Sequence, residues 1–348
     1  MKIRIKDKYV GDNCPCYIVA EIGLNHNGKF EIAKKLIDSA NEVGVDAVKF
    51  QKRDISELLT KEQINKPYSG LNSFGDTYGE HRKNLELSND DWYKLVDYSE
   101  RLGLTFLASA WDINSADFLE RLNISAYKIA SSDVTNLLLL EHIAKKRRPI
   151  ILSTGMSTID EIDEAVEVIE KYNNDLIILH CVSAYPFDEQ YANLNIIKTL
   201  KERYRYPIGY SGHEKSGHVV TLTAVALGAC LIERHFTLDR TMRGPDHVAS
   251  LEPHGFASLV DSIRIQERAF GSSKKEILDI EVPVREKLSK SIVTIRAIEK
   301  DHVIKADDLT VKSPGIGLKP KYINKIIGKI SKCNIPEDTV VPKEALRW

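Results

Sequence analysis

The sequence predicts an α/β fold: a closed (β/α)8 (TIM) barrel of parallel strands followed by a small β-rich domain. Three observations predict it. Short β-branched runs alternate with longer amphipathic ones, eight such runs precede residue 271, and the periodicity changes after it. The runs are Tyr17–Ile22, Ala47–Gln51, Thr105–Ala110, Ala126–Ile129, Ile150–Ser153, Leu176–Cys181, Pro207–Ser211 and Leu231–His235. They are apolar almost throughout, as strands buried on both faces must be.

The helical segments between them carry their own signals. Phe30 to Val43 aligns Ile32, Ala33, Leu36, Ile37 and Ala40 on one stripe, and Gly44 supplies a C-terminal stop. Thr158 and Glu161 form a capping box ahead of Ile162, Ala165, Val166 and Ile169. Leu222, Ala224, Val225 and Leu227 predict a largely buried helix ending at Gly228. Met1–Lys6 alternates like a further strand. These features define a barrel domain over residues 1–271. Residues 272–290 are charged and lack a clean period, so they are expected to be a linker. Residues 291–348 hold β-like pieces at Ser291–Ala297, Leu309–Val311 and Thr339–Val341 and a helix-like Lys321–Ile327, punctuated by Pro314-Gly315 and Gly317.

Composition excludes several classes. The 348 residues carry 49 Lys and Arg against 50 Asp and Glu, a net charge of −1, which argues against a nucleic-acid partner or a polybasic membrane surface. No apolar run approaches the ~20 residues of a membrane span, and the N-terminus lacks a signal-peptide core. Cys14, Cys16, Cys181, Cys230 and Cys333 are odd in number and scattered, which predicts reduced thiols in a cytoplasmic protein rather than a disulfide framework. A single Cys14-Pro15-Cys16 does not make a zinc site.

A parallel barrel collects the C-terminal ends of its strands at one mouth. Those ends read Glu21, Lys49 with Gln51, Ser109, Lys128 with Ser131, Ser153, Ser183 with Tyr185, Ser211 with His213, and His235. His213 and His235 follow consecutive strands, so both imidazoles can share a divalent metal, or both are packed core histidines. Lys49 lies between Val48 and Phe50, and Lys128 between Tyr127 and Ile129. Burying an unpaired ammonium is costly, so each lysine either pairs with a carboxylate such as Glu21 or Asp133 or receives an anionic ligand. Two lysines among hydroxyls suit a phosphate and a carboxylate; Schiff-base chemistry is the rival role.

These residues sit in motifs that resemble the sialic acid (N-acylneuraminate) synthases over nearly the whole chain. The motifs are Ala20-Glu21-Ile22-Gly23-Leu24-Asn25-His26-Asn27-Gly28, Val48-Lys49-Phe50-Gln51, Tyr127-Lys128-Ile129 and Ser153-Thr154-Gly155-Met156. Gly209-Tyr210-Ser211-Gly212-His213, Glu233-Arg234-His235-Phe236-Thr237-Leu238-Asp239 and Gly244-Pro245-Asp246-His247 extend the match, and the tail resembles the family's antifreeze-like (SAF) domain. The resemblance implies condensation of phosphoenolpyruvate with N-acetylmannosamine or a relative. It also implies a homodimer in which the small domain of one subunit caps its neighbour's barrel.

Carried over position by position, Lys49, Ser109, Lys128, Ser131, Ser153, Ser183, Tyr185 and Ser211 look like the phosphoenolpyruvate site. Gln51, Asp246, Asn25 and Tyr185 look like sugar contacts, and His213 and His235 like ligands of Mn2+ or Mg2+. Glu21, with Lys49 and Lys128, looks catalytic. His26 either shapes the turn after the first strand or touches ligand. Glu233 is expected as a structural ion-pair partner, and His180 and Cys181 as core residues.

Two departures from the family pattern stand out. Ala108-Ser109-Ala110-Trp111-Asp112 replaces a common Ser-Thr-Pro-Phe-Asp, and Lys312-Ser313-Pro314-Gly315 lacks the arginine that several members extend from the SAF domain. Tyr78-Gly79-Glu80-His81-Arg82-Lys83 resembles the animal branch, whose acceptor is the 6-phosphate; its basic residues meet a phosphate or are a solvated loop. The alternatives are a 9-phosphate synthase acting on N-acetylmannosamine 6-phosphate or mannose 6-phosphate, a two-histidine metal hydrolase, and a non-catalytic sugar-binding protein.

Overall fold

The computed structural model describes residues 1–348, which divide into two compact units, Met1–Gly271 and Ser272–Trp348. The first opens with an antiparallel hairpin of β1 (Lys2–Ile5) and β2 (Lys8–Gly11). Eight parallel strands follow: β3 (Tyr17–Gly23), β4 (Ala47–Lys52), β5 (Thr105–Ala110), β6 (Tyr127–Ile129), β7 (Ile150–Ser153), β8 (Leu176–Cys181), β9 (Ile208–Gly212) and β10 (Leu231–His235). They pair in sequence order, and β10 closes on β3 with His235 opposite Glu21, so the sheet is a complete barrel. No helix is long and apolar enough to cross a membrane.

Period-2 alternation divides each strand between two environments. The outward set, including Ile18, Ala20, Val48, Phe50 and Tyr127, packs against the surrounding helices. The inward set is apolar at its lower end, where Tyr17, Val19, Ala47, Leu107, Ile151, Ile177 and Leu231 cluster with Ile3, Ile5 and Val10 of the hairpin. One step further along the same inward face, the side chains turn polar: Glu21 follows Val19, Lys49 follows Ala47, and Lys128 follows Ala126. The hairpin therefore plugs the bottom of a barrel whose upper layer is reserved for chemistry.

The second unit has its own core, built from Ile292, Ile298, Ile304, Leu309, Ile326, Ile335, Val341 and Leu346. It contains two short antiparallel pairs, β11 (Ser291–Thr294) with β12 (Leu309–Lys312) and β13 (Ile330–Ser331) with β14 (Leu346–Arg347). Residues 272–290 cluster with this unit and form a helix at Val282–Leu288. Thr339–Val341 is not a strand but makes a lone bridge, Val293 to Val340, and the helix expected at Lys321–Ile327 shortens to Ile323–Ile326 after a 3-10 turn. In so small a unit the chain is held by isolated bridges and turns rather than by continuous ladders.

Candidate active site

The strand register sets the site. Glu21 lies opposite Lys49, Gln51 opposite Ser109, Ser109 beside Lys128, and Ser211 opposite Glu233. Their side chains line one cavity of about 200 Å³ at the C-terminal mouth, together with Ser131, Ser153, Ser183, Tyr185, His213 and His235. Two of the expected residues stand apart. Asp246 approaches the site at Gly23, whose φ of 55° lies in the left-handed region that favours glycine. A Cβ there would meet Gln51 Nε2, Glu21 Oε1 and Asp246 Oδ2 at 3.2 to 3.3 Å. Asn25, expected at the sugar, does not line the cavity. Its buried amide instead donates to Phe236 O and Ser250 Oγ, both at 2.8 Å, tying the turn after β3 to the segment after β10.

The two buried lysines differ in kind. Lys49 Nζ is 2.8 Å from Glu21 Oε2 and 3.5 Å from Glu233 Oε1, and it donates to Ser109 Oγ at 3.1 Å. Burial opposes its charge, but the two carboxylates outweigh burial and raise its pKa. Lys128 bonds only neutral acceptors, Ile129 O at 2.8 Å and Ser153 Oγ at 2.6 Å. Burial therefore lowers its pKa, with only partial relief from Glu233. Asp133, considered as its partner, is engaged by Ser132 and Asn136. Lys128 is an ammonium held ready for an anion. A hydroxyl cradle adjoins it: Gly155 N–H donates to Ser131 Oγ at 2.9 Å, and a Cβ on Gly155 would stand 2.2 Å from Ser183 Oγ.

His213 and His235 face each other across the rim with ring centroids 5.3 Å apart. His213 Nδ1 lies 3.0 Å from Val182 O, a group that only accepts, so Nδ1 carries the proton and Nε2 keeps its lone pair. His235 Nδ1 is buried without a partner. Burial, then mutual repulsion, holds His213 well below the usual histidine range; burial, then Lys49, lowers His235 to about 3. Neutral imidazoles with a free lone pair are the state that ligates a divalent cation, so the pair fits one. No cluster of three or more His, Cys, Asp or Glu side chains suited to a metal is present, which leaves the other positions to water or substrate oxygens.

Several neighbours were misjudged or missed from the residues alone. Glu233 is an ion-pair partner of Lys49 but also lines the cavity, with Oε2 lacking a partner. Cys181 is buried, as expected, and also borders the cavity, while His180 is held in the interior by Ala192 O at 2.7 Å. His26 shapes the turn: its ring stacks on Phe50 and its Nδ1 accepts from Gly28 N–H at 3.0 Å. Trp111, Ser132 and Met156 also border the cavity. Ser313, which stands where several family members carry an arginine, donates to Leu288 O and accepts from Lys290.

Known proteins resemble the chain over nearly its whole length. The NeuB family model matches residues 36–275 and the SAF domain model residues 289–347. The chain is 40% identical over 341 residues to the N-acetylneuraminate-9-phosphate synthase of Mus musculus, covering 97% of this chain and 95% of that protein. It is 38% identical over 337 residues to the N,N'-diacetyllegionaminic acid synthase of Legionella pneumophila, covering 95% and 94%. The crystal structure of the N-acetylneuraminic acid synthetase from Leptospira borgpetersenii matches with a TM-score of 0.72 at 35% identity, over 82% of this chain and 95% of that one.

Proposed function

The chain belongs to the NeuB family, and we propose that it condenses phosphoenolpyruvate with N-acetylmannosamine or a related hexosamine to give a nonulosonate. It is a phosphoenolpyruvate-dependent, carbon–carbon-forming transferase. The observation that carries the proposal is Lys128, a buried ammonium bonded only to neutral oxygens and set in the same cavity as Glu21 and two neutral imidazoles.

In this reading Lys128 and Lys49 neutralise the phosphate and carboxylate of phosphoenolpyruvate, and the hydroxyls of Ser109, Ser131, Ser153, Ser183, Tyr185 and Ser211 complete its site. Gln51 and Asp246 hold the open-chain sugar. His213 and His235 would hold a divalent metal, Mn2+ or Mg2+, which supplies Lewis-acid polarisation of the acceptor carbonyl. A bond forms between the enol carbon and the aldehyde carbon, whose oxygen takes up a proton. Positive charge develops at the enol-ether carbon, where Glu21 stabilises it or orients the attacking water. Water adds with loss of a proton, the carbon–oxygen bond to phosphate breaks, and the keto acid and phosphate leave. Release of phosphate makes the sequence irreversible.

A second reading, an acceptor carrying a 6-phosphate and a 9-phosphate product, is favoured by one observation. Arg82 and Arg243 gather beside His81 and, after burial, are the next causes of its lowered pKa. Phosphate release from phosphoenolpyruvate with Mn2+, compared for N-acetylmannosamine and its 6-phosphate, tests both readings. Turnover with neither sugar, when phosphoenolpyruvate does not bind, sinks them. We further propose a cytoplasmic homodimer, which sedimentation of the full chain checks.

A further inference from the structure

Lys49, Gln51 and Arg53 stand at i, i+2 and i+4 along β4 and the residue that follows it, the spacing that puts three side chains on one face. Lys49 and Gln51 line the cavity; Arg53 does not. Arg53 is nonetheless only 5% exposed. Its Nη2 donates to Gln51 Oε1, and its guanidinium lies over the Trp111 ring, 4.4 Å from the centroid. Nη1 is 3.6 Å from Glu86 Oε1, and neither Nη1 nor Nε has a hydrogen-bond partner. A guanidinium buried with so few bonds costs stability, and stacking on an indole recovers only part of that cost.

What Arg53 does accomplish follows from its chemistry. A guanidinium only donates, whereas a glutamine amide presents an acceptor on one side and a donor on the other. Arg53 therefore requires Gln51 to turn its carbonyl oxygen outward. The Gln51 NH2 is then forced inward, where it donates to Glu21 Oε1 at 2.6 Å. Glu21 is held from both sides, since Lys49 Nζ meets its other oxygen at 2.8 Å. The opposite amide orientation would set a carbonyl oxygen against the Glu21 carboxylate. Trp111, the residue that departs from the family pattern, is the platform on which Arg53 rests.

We propose that Arg53 is a positioning residue of the condensation, which acts through the Gln51 amide to fix the Glu21 carboxylate beside the reacting carbon. The proposal rests on the reaction given above. Its test is a double-mutant cycle on the full chain, reading phosphate release from phosphoenolpyruvate with Mn2+ and whichever sugar the wild type prefers. Arg53→Met is expected to lower kcat roughly 10- to 100-fold, the size of one hydrogen bond to a charged group, with phosphoenolpyruvate affinity by calorimetry unchanged. Arg53→Lys, which still only donates, is expected to recover most of the loss. In a Gln51→Ala background, Arg53→Met is expected to cost nothing further, because its route to Glu21 is already gone. Losses that multiply instead, or a fall in phosphoenolpyruvate affinity with Arg53→Met, overturn the proposal alone. A wild type that releases no phosphate with any acceptor overturns the reaction itself, and the proposal with it.

Discussion

Replacing Lys128 by methionine is expected to stabilise the free protein and sharply weaken its affinity for phosphoenolpyruvate. The unbranched side chain is only one atom shorter, so packing is nearly conserved. The substitution removes a buried ammonium that Glu233 compensates only in part, and two hydrogen bonds, to Ile129 O and Ser153 Oγ, go with it. Relief from burying the charge is several kcal/mol, and each lost bond from the charged donor returns about 1.5 kcal/mol, so a small net gain of about 1 kcal/mol is expected. That gain corresponds to roughly 2–4 °C in Tm per kcal/mol for a domain of this size. Loss of the charge-assisted contact weakens phosphoenolpyruvate binding by at least ~10- to 100-fold.

The control is Lys49→Met, for which the sign reverses. It strands Glu21 and Glu233, which Lys49 meets at 2.8 and 3.5 Å, and removing one partner of a buried ion pair costs about 3–5 kcal/mol. Urea unfolding of both variants gives the stabilities, and calorimetry with phosphoenolpyruvate gives the affinities. If Lys128→Met destabilises the protein as much as Lys49→Met, or if it still binds phosphoenolpyruvate at wild-type strength, the division between a paired and an open lysine is wrong.

Glu21→Gln keeps the shape of the site but removes the negative charge, so turnover is expected to fall by about 100-fold or more while phosphoenolpyruvate still binds. Near-normal turnover in a rapid-mix assay would remove Glu21 from the mechanism. His213→Ala and His235→Ala are each expected to abolish stimulation by added Mn2+, and chelation is expected to do the same in the wild type. A variant that stays fully metal-responsive counts against the imidazole pair. In the second unit, Asp308 accepts from Lys305 N and Arg296 Nε, both at 2.7 Å, and pairs with His302 at 2.8 Å. Burial opposes its charge, but these donors prevail and lower its pKa to about 2. A carboxyl depressed in the folded state contributes stability above its unfolded value and loses it as pH falls, here from about 4 to about 2. The contribution is expected to be about 1–2 kcal/mol, discounted because Arg296 and His302 are partly exposed to solvent. Asp308→Asn should remove that acid-dependent component from urea unfolding measured across the window; an unchanged slope refutes it.

Much of the barrel was legible because its strands carry two signals at once. An apolar run of four to eight residues bounded by helix caps and glycines marks each strand, and a lysine or glutamate inside such a run marks where the inward face turns polar. Lys49, Lys128 and Glu21 were recognisable on those terms. Glu233 and Cys181 were harder, because which face a strand residue takes depends on a register that only pairing with the neighbours reveals. Arg53 was invisible for a different reason. A basic residue just past a strand end reads as a wet rim position, and only the Trp111 face beneath it shows that it is buried. Asn25 erred the other way, since a motif asparagine beside catalytic residues braces the turn as readily as it meets a ligand. In the second unit β11 and β12 were legible, β13 and β14 are too short to show a period, and Thr339–Val341 lacked the run of partners that turns a bridge into a ladder.

The charges of the cavity explain why both lysines are needed. Its lining holds two carboxylates, Glu21 and Glu233, and two ammoniums, Lys49 and Lys128, while both histidines are neutral. The four formal charges cancel, which limits the cost of keeping them buried without substrate. Their placement does not cancel. Lys49 is bound up by both carboxylates, so the free positive end of the site is Lys128, and the negative end is Glu21, whose other oxygen meets only the neutral Gln51 amide. That polarity matches a reaction in which an anionic group must be gripped at one end while positive charge appears at carbon near the other. A site with both lysines paired would fold as easily but have no grip on phosphate. With both open it would bind phosphate more tightly, yet it would oppose the developing cation and burden the barrel with a second uncompensated charge. One paired and one open lysine is the arrangement that serves binding and the transition state together.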